Sequence, residues 1–435
     1  MTRSASTSAL SDTPHAHSRF GRLTLLCTLM FLEHAIFGAW IPVMPLHLKQ
    51  LGFSPLQIGN LFGILSLAGL AAPWIGGHLA DRVISAQALL AIGHAAGAIL
   101  FWLAASATDY WSILLLLLAA SFIYLPTFTV TNHIVFRHLA DPLHEFGKVR
   151  LWGTASWVAM SAIMGLWLAR PAWLPFAQHA QLSDCLRLAA LMSAALAAFA
   201  FFVPRTPPEA ADPEAGRFAF IDVLKMLRDR SFRLLLVISF LLSLINPFIY
   251  PVGAAFLQSL GISEAGVAPL LSLGQAGEVF AFLLLGPILR RIGFKAMFLV
   301  GIAAFILRFA AWSIGQPLAL VIAAIPLHGI SYAYFIGLGQ TYTNKIASRD
   351  VRATAQALHY FASAGIGGWI GNWMAAAACL AFTMPGPTGV IAVQYGYVFM
   401  IPLLIALISG VVFSLGFHSA RPDPETPVVA SNPEV

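Results

Sequence analysis

Residues 272–293 read SLGQAGEVFAFLLLGPILRRIG, an apolar run interrupted by one amide and one acid, Gln275 and Glu278. Three positions apart on a helix, the two side chains share a face. Glu278 stands twelve residues before the charged end at Arg290, about 18 Å at about 1.5 Å per residue. In a hydrocarbon layer about 30 Å thick, that depth is near the midplane. A carboxylate there costs on the order of 3 kcal/mol on insertion scales. Such a group is tolerated where it faces a cavity, holds a proton or has a partner. The stretch therefore reads as a membrane-crossing helix, with Glu278 as the proton-handling group of a secondary transporter. A structural carboxylate paired with an arginine, Arg308 being the candidate, is the competing reading.

The remainder of the chain agrees with a membrane setting. Its 435 residues are 59% hydrophobic and 10% charged, with a mean hydropathy of +0.81, whereas soluble domains carry about 25% charged residues. Segments long enough to span recur at 22–46, 56–79, 86–106, 111–136, 150–169, 185–203, 233–258, 265–289, 296–314, 317–343, 354–381 and 395–417. The expected fold class is thus an all-α polytopic membrane protein of twelve helices. An even number of crossings puts both termini on one side. Most arginines and lysines between segments fall on that side, and only Lys49, Arg170 and Arg187 fall opposite, so the termini are expected to be cytoplasmic. The net charge of +6 then reports topology and not nucleic-acid binding. Residues 1–21 are expected to form a cytoplasmic tail without a signal peptide's apolar core. Residues 22–203 and 233–417 are expected as two six-helix bundles, joined by a cytoplasmic linker at 204–232 and followed by a polar tail at 418–435. Within that linker, FIDVLKMLRDRSF has the spacing of a surface helix. Cys27, Cys185 and Cys379 are scattered through apolar segments and match no metal-ligand spacing.

Other polar groups interrupt the apolar runs. Arg150, Thr154 and Trp157 open the fifth segment at i, i+4 and i+7, hence on one stripe. Twenty residues, about 30 Å, separate Arg150 from Arg170, which places Arg150 at the inner boundary by hydropathy alone. There it reads equally as a positive-inside anchor. Asn246 lies about 20 Å in from Arg233, with Tyr250 one turn further, and Pro247 and Pro251 should break the helix around them. His328 and Tyr332 are one turn apart on the tenth segment. Glu33 is about 16 Å from Arg22; it is a second acid available for proton coupling or for an interhelical hydrogen bond. His94 and His359 read as packing residues. No Walker lysine motif, HExxH zinc motif or G-x-S-x-G elbow occurs, so neither an ATP-driven pump nor an enzyme is expected.

The two halves echo one another. GGHLADRVISAQ after the second segment and GPILRRIGFKA after the eighth each give a glycine, a charged tight turn and the next helix. With a six-plus-six division, these turns resemble the major facilitator superfamily, in which Gly77, Asp81 and Arg82 would form part of a conformational latch. ADRVISAQ, FIYLPTFTVTN, VRLWGTASW, the Gln275–Glu278 pair, FILRFAAW and RDVRATAQ follow in an order that resembles the nucleoside:proton symporter family across about residues 20–418. That resemblance implies nucleoside import driven by a proton gradient and by no other cofactor, in a cell inner membrane, through a monomer that meets substrate, protons and lipid. It places Arg150, Thr154, Trp157, Gln275 and Glu278 in the central cavity. Asn246, Tyr250, His328 and Tyr332 join them as substrate candidates, and Glu278 and Glu33 as proton-coupling candidates. The chain departs from the family pattern at Ala333, where an acid is usual, and at Trp157, where phenylalanine is frequent. The LHG stretch of the tenth segment also resembles symporters of oligosaccharides and aromatic acids. A membrane sensor that binds without moving its ligand is the third reading.

Overall fold

The computed structural model describes residues 19–82, 84–207, 226–347, 352–385 and 391–418. Span 1 runs Arg19–Trp40 and resumes as Met44–Gln50; the break surrounds Pro42 and Pro45, which have no backbone N–H to give to a helix. Spans 2 to 6 are Pro55–Arg82, Ala86–Ser106, Tyr110–His138, Pro142–Leu168 and Asp184–Phe199. Span 7 is Arg230–Ile245, a tight 3-10 turn over Asn246–Ile249, and Pro251–Ser259. Pro247 and Pro251 break it where the sequence placed them.

The 51-residue stretch Glu264–Ile314 turns at Gly293, whose φ of 75° is left-handed and free of strain only for glycine. It is two antiparallel spans, 8 (264–292) and 9 (294–314). Span 10 is assembled from Leu318–Ala324, Leu327–Ser331, a π-helical turn Tyr332–Gly337 and Leu338–Ile346. Span 11 combines Arg352–Tyr360, a second π-helical turn Phe361–Gly367 and Gly368–Ala381, and span 12 is Tyr395–Gly416. Among the described residues, ten helices are long and apolar enough to cross a membrane, Glu264–Ile314 being one of them. Divided at Gly293 and joined by span 11, whose first turns RATAQALHY are too polar to stand out, they make twelve.

Spans 1 to 6 pack as one bundle and spans 7 to 12 as the other. Span 1 lies against spans 5 and 6, and span 3 against spans 4 and 6. In the second bundle, span 7 lies against spans 11 and 12. Large apolar side chains such as Trp111, Phe280 and Leu415 face outward, while Glu33, His94 and Arg308 are fully buried. This inversion of the soluble pattern suits a chain whose surroundings are apolar.

Two differences from the sequence reading stand out. Span 5 begins at Pro142, eight residues before the expected start, because hydropathy discounts the polar first turns PLHEFGK. Arg150 therefore lies two turns inside the helix and not at its boundary. An antiparallel hairpin, Thr383–Pro385 with Ile391–Val393, joins spans 11 and 12. Linker residues 208–225, which include the first part of the expected surface-helix stretch FIDVLKMLRDRSF, lie outside the described residues, as do the tails before Arg19 and after His418. Gly77, Asp81 and Arg82 fall in the last turns of span 2, and their side chains also lie outside the described residues.

Candidate functional site

All nine residues singled out as substrate candidates line one cavity of about 230 Å³ between the bundles, and His34 and Gly153 complete its wall. Span 5 supplies the first wall. Arg150, Thr154 and Trp157 share the stripe that helical spacing assigns them. Gly153 lets the guanidinium fold back beside them: a Cβ there would lie 2.7 Å from Arg150 Nη1 and 2.9 Å from the His34 ring. Spans 1 and 5 cross in backbone contact at Gly38, whose Cβ would meet Trp157 Cα at 2.5 Å. Trp157 is thereby pinned flat on Phe37, with ring centroids 5.9 Å apart and planes at 14°. Its other neighbour across the cavity is Tyr250, at 6.0 Å. His34 Nδ1 is 3.0 Å from the Met30 carbonyl. A carbonyl only accepts, so Nδ1 carries the proton and Nε2 is the acceptor of the neutral ring.

Spans 7, 8 and 10 form the opposite wall. Gln275 Nε2 donates to Tyr250 Oη at 2.9 Å, joining span 8 to the broken turn of span 7. Spans 8 and 10 touch backbone to backbone: a Cβ on Gly277 would lie 2.4 Å from Pro326 O, and one on Gly329 1.9 Å from Glu278 N. That crossing is why a glycine follows His328 in LHG, and it sets Glu278 beside the cavity. Arg308 does not pair with Glu278, as the competing reading had it; its Nη1 bonds His328 Nδ1 at 2.8 Å. Tyr332 lies at the start of the π-helical turn of span 10, where an extra residue per turn redirects side chains. Trp157 Nε1 and Asn246 Oδ1 are buried with no hydrogen-bond partner among the described residues. Each orphan costs about 1–3 kcal/mol of lost hydration that a polar ligand could restore.

A second cavity, about 650 Å³, continues from the first and shares Arg150, Thr154, Glu278 and Tyr332 with it. It leads past Phe146, Gln340 and Asn344 toward the face on which Arg19 and His418 lie. On the opposite face the bundles meet tightly. A Cβ on Gly59 of span 2 would lie 2.5 Å from Ala376 Cβ of span 11, and one on Gly165 of span 5 would lie 2.4 Å from Pro269 Cγ of span 8. These contacts hold the bundles together on that side, while the larger of the two cavities leads toward the chain ends.

Glu33 is not brought to this cavity. It is fully buried and bound to spans 3 and 4, accepting from Thr127 Oγ1 at 2.7 Å and Thr131 Oγ1 at 2.9 Å. His94 Nε2 lies 3.2 Å from its carboxylate, and His94 Nδ1 lies 3.2 Å from Ser193 Oγ of span 6. His94, read as packing, is thus the hub of an interhelical network, and His359 bonds Ser239 and Thr343 in the same manner. Ala333 is fully buried and absent from the cavity wall. His34 was the residue missed: its signal was its place one step along from Glu33, which turns it to the next helical face.

The model of a family described as nucleoside H+ symporters matches residues 22–421. The chain belongs to that family. It is a multi-pass membrane transporter of a small-molecule substrate and protons, and not an enzyme. It is 32% identical over 352 residues to YegT of Escherichia coli (strain K12), covering 80% of this chain and 82% of that protein. With nucleoside permease NupG of the same organism it shares 26% over 381 residues, 83% of this chain and 88% of that one. The crystal structure of NupG superposes with a TM-score of 0.78 at 23% identity, over 92% of this symporter and 100% of that chain. That of a D-xylose–proton symporter gives 0.69 at 13%, over 92% and 98%. These structures establish the fold as that of the major facilitator transporters.

Proposed function

We propose that this symporter imports nucleosides by alternating access, with Glu278 carrying the coupled proton. The observation that supports the reading best is the convergence of Glu278 and Gln275 from one bundle with Arg150, Thr154 and Trp157 from the other on a single cavity. A ligand there touches both bundles, so its binding is coupled to how they sit. Arg150 and Gln275 are assigned to hydrogen bonds with base or ribose. Trp157, Tyr250 and Tyr332 are assigned to stacking, worth about 1–3 kcal/mol per base–aromatic contact. An ionised Glu278 resists closure, because sealing an unpaired charge away from water costs several kcal/mol. Proton and substrate together remove that cost, and the loaded protein rocks to the other face.

The side on which the chain ends lie is assigned to the cytoplasm from the arginine and lysine bias of the loops. With that orientation, the cavity of the present structure faces inward. The membrane is assigned as the cell inner membrane, the proton gradient as the sole energy source, and the working unit as a monomer, since one chain supplies every wall of the site. Uptake of labelled uridine into proteoliposomes, with and without an inward proton gradient, tests the reading. Gradient-driven accumulation abolished by a protonophore is expected; absence of uptake for any nucleoside overturns it.

A further inference from the structure

Arg308 is a fully buried cation in span 9 with no carboxylate against it among the described residues. Phe305 and Phe309 lie against its guanidinium, with ring centroids 5.1 and 4.5 Å from Cζ. Its Nε and Nη2 have no hydrogen-bond partner among the described residues. Its Nη1 bonds His328 Nδ1 at 2.8 Å. A guanidinium can only donate, so Nδ1 of His328 is the acceptor and carries no proton. The proton of the neutral ring is then on Nε2, which has no partner among the described residues on a side chain that lines the cavity. The ring packs into the space left by Gly274, where a Cβ would lie 3.1 Å from His328 Cδ2 and 3.2 Å from its Cβ.

The geometry points to Arg308 as a positioning residue that holds His328 as a fixed donor toward the cavity. Through that donor the site selects nucleosides whose base carries an oxygen at pyrimidine position 4 or purine position 6 over those carrying an amine at that position. The selection follows from hydrogen-bond polarity. An exocyclic oxygen can only accept and an exocyclic amine on these bases donates, whereas a ribose hydroxyl turns to do either. His328 is flanked by Tyr250 and Tyr332, with ring centroids 6.2 and 6.3 Å away. These aromatic neighbours suit the base end of the ligand and not the ribose. An amine facing the Nε2–H would leave two buried donors opposed and unpaired.

This inference rests on the nucleoside reading above and is tested apart from it. In proteoliposomes, half-saturation is compared for uridine against cytidine and for inosine against adenosine. The wild type is expected to favour uridine over cytidine and inosine over adenosine by about tenfold or more. In Arg308→Met, whose side chain still fills the space between the two phenylalanines, His328 is free to take either tautomer. Each ratio should then fall to within about threefold. A merely structural arginine would weaken both members alike and leave the ratios unchanged. Equal affinities in the wild type, or unchanged ratios in Arg308→Met, overturn the selection. The second measurement is ¹⁵N NMR of protein labelled at its histidine rings, with the His328 signals identified by their loss in His328→Gln. The Nε2–H form alone is expected in the wild type and a mixture in Arg308→Met. The opposite tautomer, or no change in the variant, overturns the role of Arg308 whether or not a nucleoside is carried. Absence of all nucleoside uptake defeats the transport reading and leaves the NMR result to decide the hold of Arg308 on His328.

Discussion

Glu278 and Glu33 are both buried acids on membrane helices, and their neighbours separate them. Glu278 lines a cavity that continues to one face of the protein, so a proton can reach it. Glu33 is enclosed by two threonines and His94. Replacing Glu278 by Gln is expected to leave the protein folded while abolishing accumulation driven by the proton gradient, measured as the ratio of uridine inside to outside. For Glu33→Leu the expected loss is in stability, about 3 kcal/mol, because the buried Thr131 hydroxyl and His94 ring lose the carboxylate they bond; thermal unfolding in detergent reads it. Glu33→Gln should keep gradient-driven accumulation once expression is matched, and its loss would return Glu33 to proton coupling. Gly153→Ala places a methyl group against Arg150 and His34. Half-saturation for uridine should rise about tenfold, equal to about 1.4 kcal/mol, with expression unchanged. The acids, the span 5 stripe and the aromatics could all be read from spacing. The role of Gly153 could not, because it makes room for His34 of another helix as well as for Arg150 of its own.

Among the elements, the broken helices carry the site. Span 7 breaks at Asn246–Ile249 and span 10 before Leu327, each next to a proline that a sequence displays openly. The π-helical turns at Tyr332–Gly337 and Phe361–Gly367 have no such mark, since an extra residue in a turn is a product of packing between helices. Span 5 was placed eight residues short because its first turns are polar, and with that error Arg150 seemed to sit at the boundary. Spans 8 and 10 depend on Gly329, which has no room for a Cβ beside Glu278 N. Gly329→Leu is expected to drive the two helices apart and to leave little folded protein in the membrane, measured by detergent-extracted yield on size exclusion. A yield equal to the wild type would contradict the crossing.

At the scale of the whole molecule, two pairs of helices, 2 with 11 and 5 with 8, hold the bundles together at one face through glycines. Gly59 and Gly165 admit their partners at distances no side chain would allow. Gly165→Phe is expected to wedge spans 5 and 8 apart there and to shift the bundles toward the state open on that face. In a background lacking Cys27, Cys185 and Cys379, a cysteine at Asn344 reports the other opening. Its labelling by a membrane-impermeant thiol reagent on inside-out vesicles should drop severalfold when Gly165→Phe is added. Unchanged labelling would separate the glycine contact from the rocking of the bundles.

The sequence by itself determined that this chain crosses a membrane twelve times, because solvation by hydrocarbon is a local property of each segment, though not where every crossing begins. It also marked the polar residues of the site, since every polar group at such depth costs enough to be conspicuous. Only the tertiary structure decided their company: that Arg308 bonds His328 and not Glu278, that Glu33 belongs to a closed network, and that His34 reaches the cavity. Hydrogen bonds and backbone crossings between helices depend on rotations and registers that no single segment contains. For the same reason, the face on which the cavity opens was settled by how the two bundles meet.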